Sequence, residues 1–560
     1  MRFVRTPSAP RSLFVALCLL LTCCLSASAQ EAGDVYEIAY RLSMPRPASH
    51  LYEVRIEVST PAPAEAVEFQ MPRWSPGRYS VFDFAKNVQE VFAVSGCAPD
   101  ASCEQIELPV VRLDTQTWRV QTGGFKVAGP SKKFVLTYKV FADDLSGTFS
   151  QLDSRHANFN GASVFMYVAG HKQDPVSLRV EAPAGWRVVN GRTDGTAARG
   201  EWKFPNYDLL IDTPTEVAPD WTVDEFDVAG KTYRVVVHSL GAEAGRRPAL
   251  VRGVEKIVRA EVGMWGAPEF DSYTFIFHFD PTARRGDAME HLNSTQIVLR
   301  SSLADRGALE DALDAAAHEF FHVWNVKRLR PAELGPWDFT RPLATRSLWI
   351  AEGVTNYYGH LMQRRAGLWD DARLYRALAD QIGSIENSPA ARRMSAEESS
   401  IVAPLIDGAP HAQRTNLGDT SVSYYDKGET LGLTLDLLIR ARTEGRRSLD
   451  DVLRRMYEEF YLKGQAATYY LRGRGYAGED FERAVAEVGG EGFADFFARH
   501  VRRAERPPYE DALARVGLRL ARTPAKDERG RPRDDYRLEE IKGATAEARR
   551  LREAWLTGRR

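Results

Sequence analysis

His318, Glu319 and His322 stand as H-E-x-x-H in AAAHEFFHVWNVKRLRP. Side chains four apart on a helix share a face, so both imidazoles can converge on one ion while Glu319 lies beside them, facing an open coordination position. That pattern fits a metal-activated water with its own base. Zinc in catalytic sites usually takes three protein ligands plus water. Glu352, thirty residues after His322 in the apolar run SLWIAEGVTNYYGHLM, is the candidate third ligand, because a carboxylate in such a run is costly to bury without a cation.

The elements around these residues are legible in outline. Leu303 to Val326 carries apolar residues at Leu309, Leu313, Ala316, Ala317, Phe320, Phe321 and Trp324. That 3.6-residue recurrence predicts one helix, ended by Pro331. Upstream, from Val35 to Leu240, VYEIAYRLSM, HLYEVRIEVST, KKFVLTYKVFA, SVFMYVAG, VSLRVEAPA and TYRVVVHSL alternate apolar and polar residues between Pro, Gly and Asp clusters, as sandwich strands do. MPRWSPGRYSVFDFAKN, Met71 to Asn87, reads as a rigid aromatic turn with no catalytic constellation of its own. Residues 250 to 300 shift to mixed α/β, and Gly286 to Glu290 predicts a turn into an edge strand over Ser294 to Leu299. Such a strand can bind an extended peptide, and Glu290 can hold a free ammonium terminus, a solvated turn glutamate being the alternative. Beyond residue 369 the segments have helical spacing, with Asp, Glu or Ser near their starts. Arg522 to Asp534 reads as a linker or loop, and a last helix is expected over Ala544 to Leu556.

Composition narrows the partners. The 74 Lys and Arg against 76 Asp and Glu leave a formal charge of −2, which predicts no general affinity for nucleic acid or anionic membrane. Arg2, Arg5 and Arg11 precede an apolar stretch from Leu13 to Leu25 and an Ala27-Ser28-Ala29 cleavage site, so residues 1–29 read as a signal peptide. The protein is therefore expected to be exported, periplasmic or secreted, with acylation of Cys23 or Cys24 the alternative. No later segment reaches the apolar length of a membrane span, so no stable membrane insertion is expected after cleavage. Cys97 and Cys103, in the polar loop SGCAPDASCEQ, read as a local disulfide. Nothing in the sequence sets the oligomeric state.

HEFFHVWNVKRLRP, with WIAEGVTNYY thirty residues on, closely resembles the glycyl aminopeptidase family of zinc metallopeptidases, gluzincins related to the alanyl and leukotriene-hydrolase aminopeptidases. MPRWSPGRYSVFDFAKN, NFNGASVFMYVAGHKQDPV, DAMEHLNST and SYYDKGETLGLTLDLLIR resemble further motifs of that family, in order. The resemblance implies a multidomain α+β chain: an N-terminal β-sandwich domain over 30–230, a thermolysin-like α/β zinc domain over 231–368, an α-helical bundle over 369–515, and over 516–560 a short tail with a terminal helix where relatives carry a PDZ domain. It implies one Zn2+ per chain on His318, His322 and Glu352, with Glu319 as base. Tyr425 would act on the oxyanion, its neighbour Tyr424 being the alternative. Glu290, with Met289 and Ala288, would bind substrate. Asn356 is at most a residue that orients a ligand histidine, and His291 is unassigned. Asp287-Ala288 replaces the family's usual Gly-Gly, which puts a carboxylate near the substrate path. The implied activity is hydrolysis of the first peptide bond of peptides beginning with Gly or Ala. A zinc endopeptidase with an open cleft and a non-catalytic peptide-binding protein are the alternatives.

Overall fold

The computed structural model of the protein describes residues 35–60, 64–95, 105–123, 132–193, 200–407, 414–465 and 472–559. The expected signal peptide and the Cys97–Cys103 pair lie outside the described residues. Alternation governs the N-terminal half. Glu37–Ser43 and Leu51–Thr60 bury every second residue, as strands with one covered face must. They lie at the centre of a seven-stranded sheet ordered 201–204, 176–181, 37–43, 51–60, 132–141, 88–95, 107–108. Two four-stranded sheets complete this β-rich half. The expected strand SVFMYVAG is reduced to Tyr167–Val168 after a 3-10 turn at Gly161–Ser163.

The core of the β-rich half also takes in Trp337 and Phe339, from the loop that follows the H-E-x-x-H segment. Trp74 ties that loop down, its indole Nε1 donating to the carbonyls of Asp338 (3.0 Å) and Arg341 (2.9 Å). The aromatic turn thus binds the two halves of the chain together.

A second, mixed sheet consists of Thr222–Val228, Lys231–Ser239 (β1), Ser272–Phe279 (β2), Asp287–Glu290 (β3) and Ser294–Leu299 (β4), in the order 222–228, β1, β2, β4, β3. β1, β2 and β4 are parallel, and the two outer strands run antiparallel to their neighbours. The edge is β3 and not Ser294–Leu299 as the sequence suggests: Asp287–Glu290, expected as a turn, forms a strand that pairs with β4 and covers its outer side. Helix Ala308–Phe321 (α1) packs on β3 and β4. It is shorter than the apolar periodicity suggests. Gly307, at φ 89°, opens it, and past His322 the chain enters tight turns, with Lys327 N bonding His322 O (3.0 Å) and Leu329 N bonding Trp324 O (2.7 Å). Trp324 and Val326 are buried by those turns rather than by a helix face.

A π-helical turn, Trp349–Gly353, continues into Val354–Arg365 (α2). Most of the remaining helices, among them Asp371–Glu386 and Tyr424–Arg442 (α3), share one apolar core with the mixed sheet. Their starts are capped as the acidic and Ser residues foretold: Asp370 accepts from Arg373 N (2.8 Å) and Ser423 from Tyr425 N (3.1 Å). The linker expected at Arg522 to Asp534 is instead most of a hairpin, Leu518–Lys526 paired with Pro532–Glu540. Its strands lack apolar alternation because charge pairs across the ladder replace it, Arg522 with Asp534 at 2.6 Å and Arg519 with Glu539 at 2.5 Å. The final helix, Ala546–Thr557, inserts Trp555, whose Nε1 donates to Tyr357 Oη at 2.8 Å. No helix among the described residues is long and apolar enough to cross a membrane.

One link between α2 and α3 sets a pH dependence. His360 Nδ1 lies 2.7 Å from Glu429 Oε1. Burial pulls the imidazole down, but the carboxylate outweighs it and lifts His360 to about 9. A raised folded-state value means the stabilisation is complete below the unfolded value of about 6.5 and is lost as pH rises through the folded one. The advantage of wild type over His360→Gln is therefore expected to reach at most about 3 kcal/mol below pH 6.5 and to shrink toward pH 9. Denaturant unfolding at several pH values measures it; a constant advantage would mean that the pair carries no charge.

Candidate active site and metal centre

His318 sits in the last turn of α1, and His322 caps its end. Their Nε2 atoms lie 3.0 Å apart. Glu352 Oε2 completes the triangle, 3.5 Å from His318 Nε2 and 3.2 Å from His322 Nε2. Two ring nitrogens and a carboxylate at these separations suit one tetrahedral ion, whose ligands at about 2.1 Å stand about 3.4 Å apart. His322 is oriented by its other nitrogen, Nδ1, 2.7 Å from the carbonyl of Asn325, the kind of contact that fixes the tautomer of a ligand histidine.

Glu352 depends on the π-helical turn that carries it. Turns of this type leave carbonyls without their regular partners, and Asn325 Nδ2 supplies donors to Ile350 O (2.9 Å) and Ala351 O (3.3 Å). Asn325 therefore braces His322 and Glu352 at once. The turn also crosses α3 backbone to backbone. A Cβ on Gly428 would collide with the Trp349 carbonyl, and one on Gly353 with Gly428 itself. These two glycines bring Glu352 close to the start of α3.

The cleft beside the triad is lined by Arg78, Asp287, Ala288, His318, Glu319, Asn356, His360 and Tyr425, among others. Glu319 is only 7% exposed, Glu290 4% and Glu352 2%. Burial pushes Glu319 up to about 7, against the pull of His318 and His322. In Glu352, burial is outweighed by His322 and His318, which hold the carboxylate well below its ordinary range. Glu290, Glu319 and His322 bring donor atoms within 4.8 Å of one another. Three carboxylates drawn together out of water demand cations, which fits a divalent ion on the triad and leaves Glu290 for a second positive charge.

The other predicted residues fall into place unevenly. Ala288 lines the cleft, but Met289 is buried against Gly77 and Gly147, so its side chain does not face substrate. The Asp287 carboxylate is tied to the cleft wall: it pairs with Arg78 and accepts from Gly147 N at 3.1 Å. The same guanidinium donates to Ala288 O at 3.1 Å. Tyr425 lines the cleft with its ring 6.2 Å from that of His318, whereas Tyr424 is buried and donates its hydroxyl to Asp407. Asn356 lines the cleft and bonds neither ligand histidine. His291 is structural, its Nδ1 3.0 Å from Asp212, which also takes Lys327 Nζ at 2.9 Å and holds the turn after β3.

Sequence reasoning missed three residues here: Arg78, Asn325 and Tyr79. Tyr79 comes from the aromatic turn and donates its hydroxyl to Glu352 Oε1, deep in the site. Its signal was the Arg and Tyr flanking a Pro-Gly corner, which had no local role. Removing that hydroxyl leaves a buried carboxylate oxygen without its donor, and losses of this kind typically cost about 10- to 100-fold in metal affinity. Tyr79→Phe is expected to show that loss in competition with a chromogenic chelator; unchanged affinity would make the contact incidental.

Residues 39–219 match the model of the Peptidase M61 N-terminal domain and residues 311–431 that of the M61 glycyl aminopeptidase. No curated protein matches the chain. Among solved structures, an aminopeptidase N family protein from Idiomarina loihiensis superposes with a TM-score of 0.77 at 25% identity, over 88% of this chain and 80% of its own. An M1 zinc metallopeptidase from Deinococcus radiodurans gives 0.48 at 14% identity, over 82% of this chain and 91% of its own. The matched segments span more than half of the chain and include the β-rich half as well as all three residues of the triad; the chain belongs to the M61 glycyl aminopeptidase family and is a zinc aminopeptidase.

Proposed function

We propose that this aminopeptidase is exported and releases N-terminal Gly or Ala from peptides, with Glu319 as general base. The observation that carries the reading is the buried carboxylate of Glu290, set on the edge strand within 4.8 Å of the Glu319 and His322 donor atoms. An ammonium held by Glu290 has its carbonyl carbon two bonds away, so only the first peptide bond can reach Glu319. Beside Glu290 a recess of about 30 Å³ is walled by Trp74, Gly77, Tyr79, Leu334 and Trp337. Membership of the M61 glycyl aminopeptidase family supports the preference for small N-terminal residues.

His318, His322 and Glu352 would hold the zinc, which when bound supplies Lewis acidity toward the scissile carbonyl and acidifies water. Glu319 takes a proton from the attacking water and returns it to the leaving amine nitrogen. The Tyr425 hydroxyl donates to the oxygen on which negative charge develops. Arg78 offsets the charge of the Asp287 carboxylate that replaces the usual Gly. The Arg-led, Leu-rich first 29 residues support export, and N-terminal sequencing of the mature protein tests it.

The activity is tested with dipeptide amides, free and N-acetylated, on the purified full chain. Turnover of free Gly and Ala substrates with acetylated ones untouched is expected. Equal cleavage of both would favour an endopeptidase, and a zinc-loaded protein inert on all of them would favour a peptide-binding role.

A further inference from the structure

A second cluster of metal-ligating side chains lies away from the cleft, at the seam between the β-rich half and the mixed sheet. His156, Glu216, His238 and His278 are each at most 2% exposed. His156 and Glu216 come from the β-rich half, beside the rung that pairs Asn158 with Glu216. His238 and His278 are direct neighbours on β1 and β2 of the mixed sheet. His156 Nδ1 is 3.0 Å and His238 Nδ1 3.2 Å from Glu216 Oε1, and His278 Nδ1 is 3.9 Å from Glu216 Oε2. One donor atom from each of the four lies within 4.8 Å of every other.

We propose that these four residues form a second, structural metal site of the zinc class, which joins the two parts of the chain. Hydrogen bonding alone accounts for only part of the cluster. Glu216 Oε1 can accept from His156 and His238, but His278 Nδ1 is buried without a hydrogen-bond partner, and 3.9 Å is too long for one. The same separation is reasonable for two ligands of a single ion, since tetrahedral ligands at about 2.1 Å stand about 3.4 Å apart.

Further polar groups hold the ligands in place. Asn158 Nδ2 donates to Glu216 Oε2 at 3.1 Å, and Asn158 Oδ1 in turn accepts from Gln296 Nε2 at 2.9 Å. His238 Nε2 lies 3.4 Å from Asp220 Oδ1 without a hydrogen bond between them. Four protein ligands leave no open position, which is the signature of a structural rather than a catalytic site. Beside the cluster the seam is closed by a small apolar group, Val189, Ala218, Trp221, Val236 and Ile276. A shared ion would hold the β-rich half, with Arg78 and Tyr79, in register with the triad.

Metal analysis of the tag-free full chain, after passage over a chelating resin, tests the proposal. Wild type is expected to retain about two zinc ions per chain and His318→Ala/His322→Ala about one, falling to none when His238→Ala and His278→Ala are added. One ion in wild type and none in the His318→Ala/His322→Ala variant would overturn the second site while leaving the catalytic zinc intact. An ion that the resin strips from that variant would be adventitious and would overturn it equally. One ion in both proteins would support the seam site and count against metal at the triad. The deciding comparison leaves the seam residues untouched, so it stands even if their variants do not fold. Where His238→Ala/His278→Ala does fold, it should hold one zinc and unfold at a lower temperature.

Discussion

Glu319→Gln is expected to lower kcat by about 10²- to 10⁴-fold, the range that a positioned general base supplies, while zinc content stays at the wild-type level. The substitution keeps the shape of the side chain and removes only its ability to take a proton. Glu319 is not one of the three groups that converge on the metal position; its partners in the geometry are His322 and Glu290, on the substrate side. Loss of the base should therefore appear in kcat, with KM little changed, because the proton moves in the transition state and not in the bound ground state. Steady-state kinetics with parallel metal analysis decides the matter. A variant with full zinc and a less than tenfold loss would place the base elsewhere. A variant that lost zinc and activity together would make Glu319 a residue of metal retention.

The triad was readable because its logic is local. His318 and His322 meet through the pitch of one helix, and Glu352 announced itself as a carboxylate inside an apolar run. What braces them was not readable. Tyr79 reaches Glu352 across 273 residues of chain, and nothing in RWSPGRY says which carboxylate its hydroxyl will meet. Asn325 sat within four residues of His322, but its task depends on carbonyls freed by a π-helical turn, and no sequence period marks such a turn. The end of α1 was misplaced for a related reason: Trp324 and Val326 keep the helical apolar spacing while the backbone turns away to deliver Asn325. The hairpin after Leu518 was hidden because its strands pair through Arg and Asp or Glu rather than through an apolar face. His156, Glu216, His238 and His278 share no spacing at all, and only the packing of two sheets brings them together. Asp287, on the cleft wall, is paired with Arg78, a partner far away in sequence that no local spacing marks.

Glu290→Gln should lower kcat/KM on free Gly and Ala amides by about 10²- to 10³-fold, which corresponds to the few kcal/mol lost when one partner of a buried charge pair is removed. The amide occupies the same space against Gly77, where even a Cβ would come within 2.7 Å of Glu290 Oε2, so the local packing survives and the lost charge is what is measured. The loss should be selective. With no anion to hold the ammonium, the variant should treat free and N-acetylated substrates nearly alike, its residual rate coming from Glu319 and the metal triad, which remain. Selectivity therefore separates anchoring from general damage: a misfolded site loses rate on every substrate, whereas a lost anchor loses the distinction between them. If Glu290→Gln kept the wild-type ratio of free to acetylated turnover, the ammonium would be held by another group, and the Asp311 and Asp314 carboxylates that also line the cleft would be the next to replace.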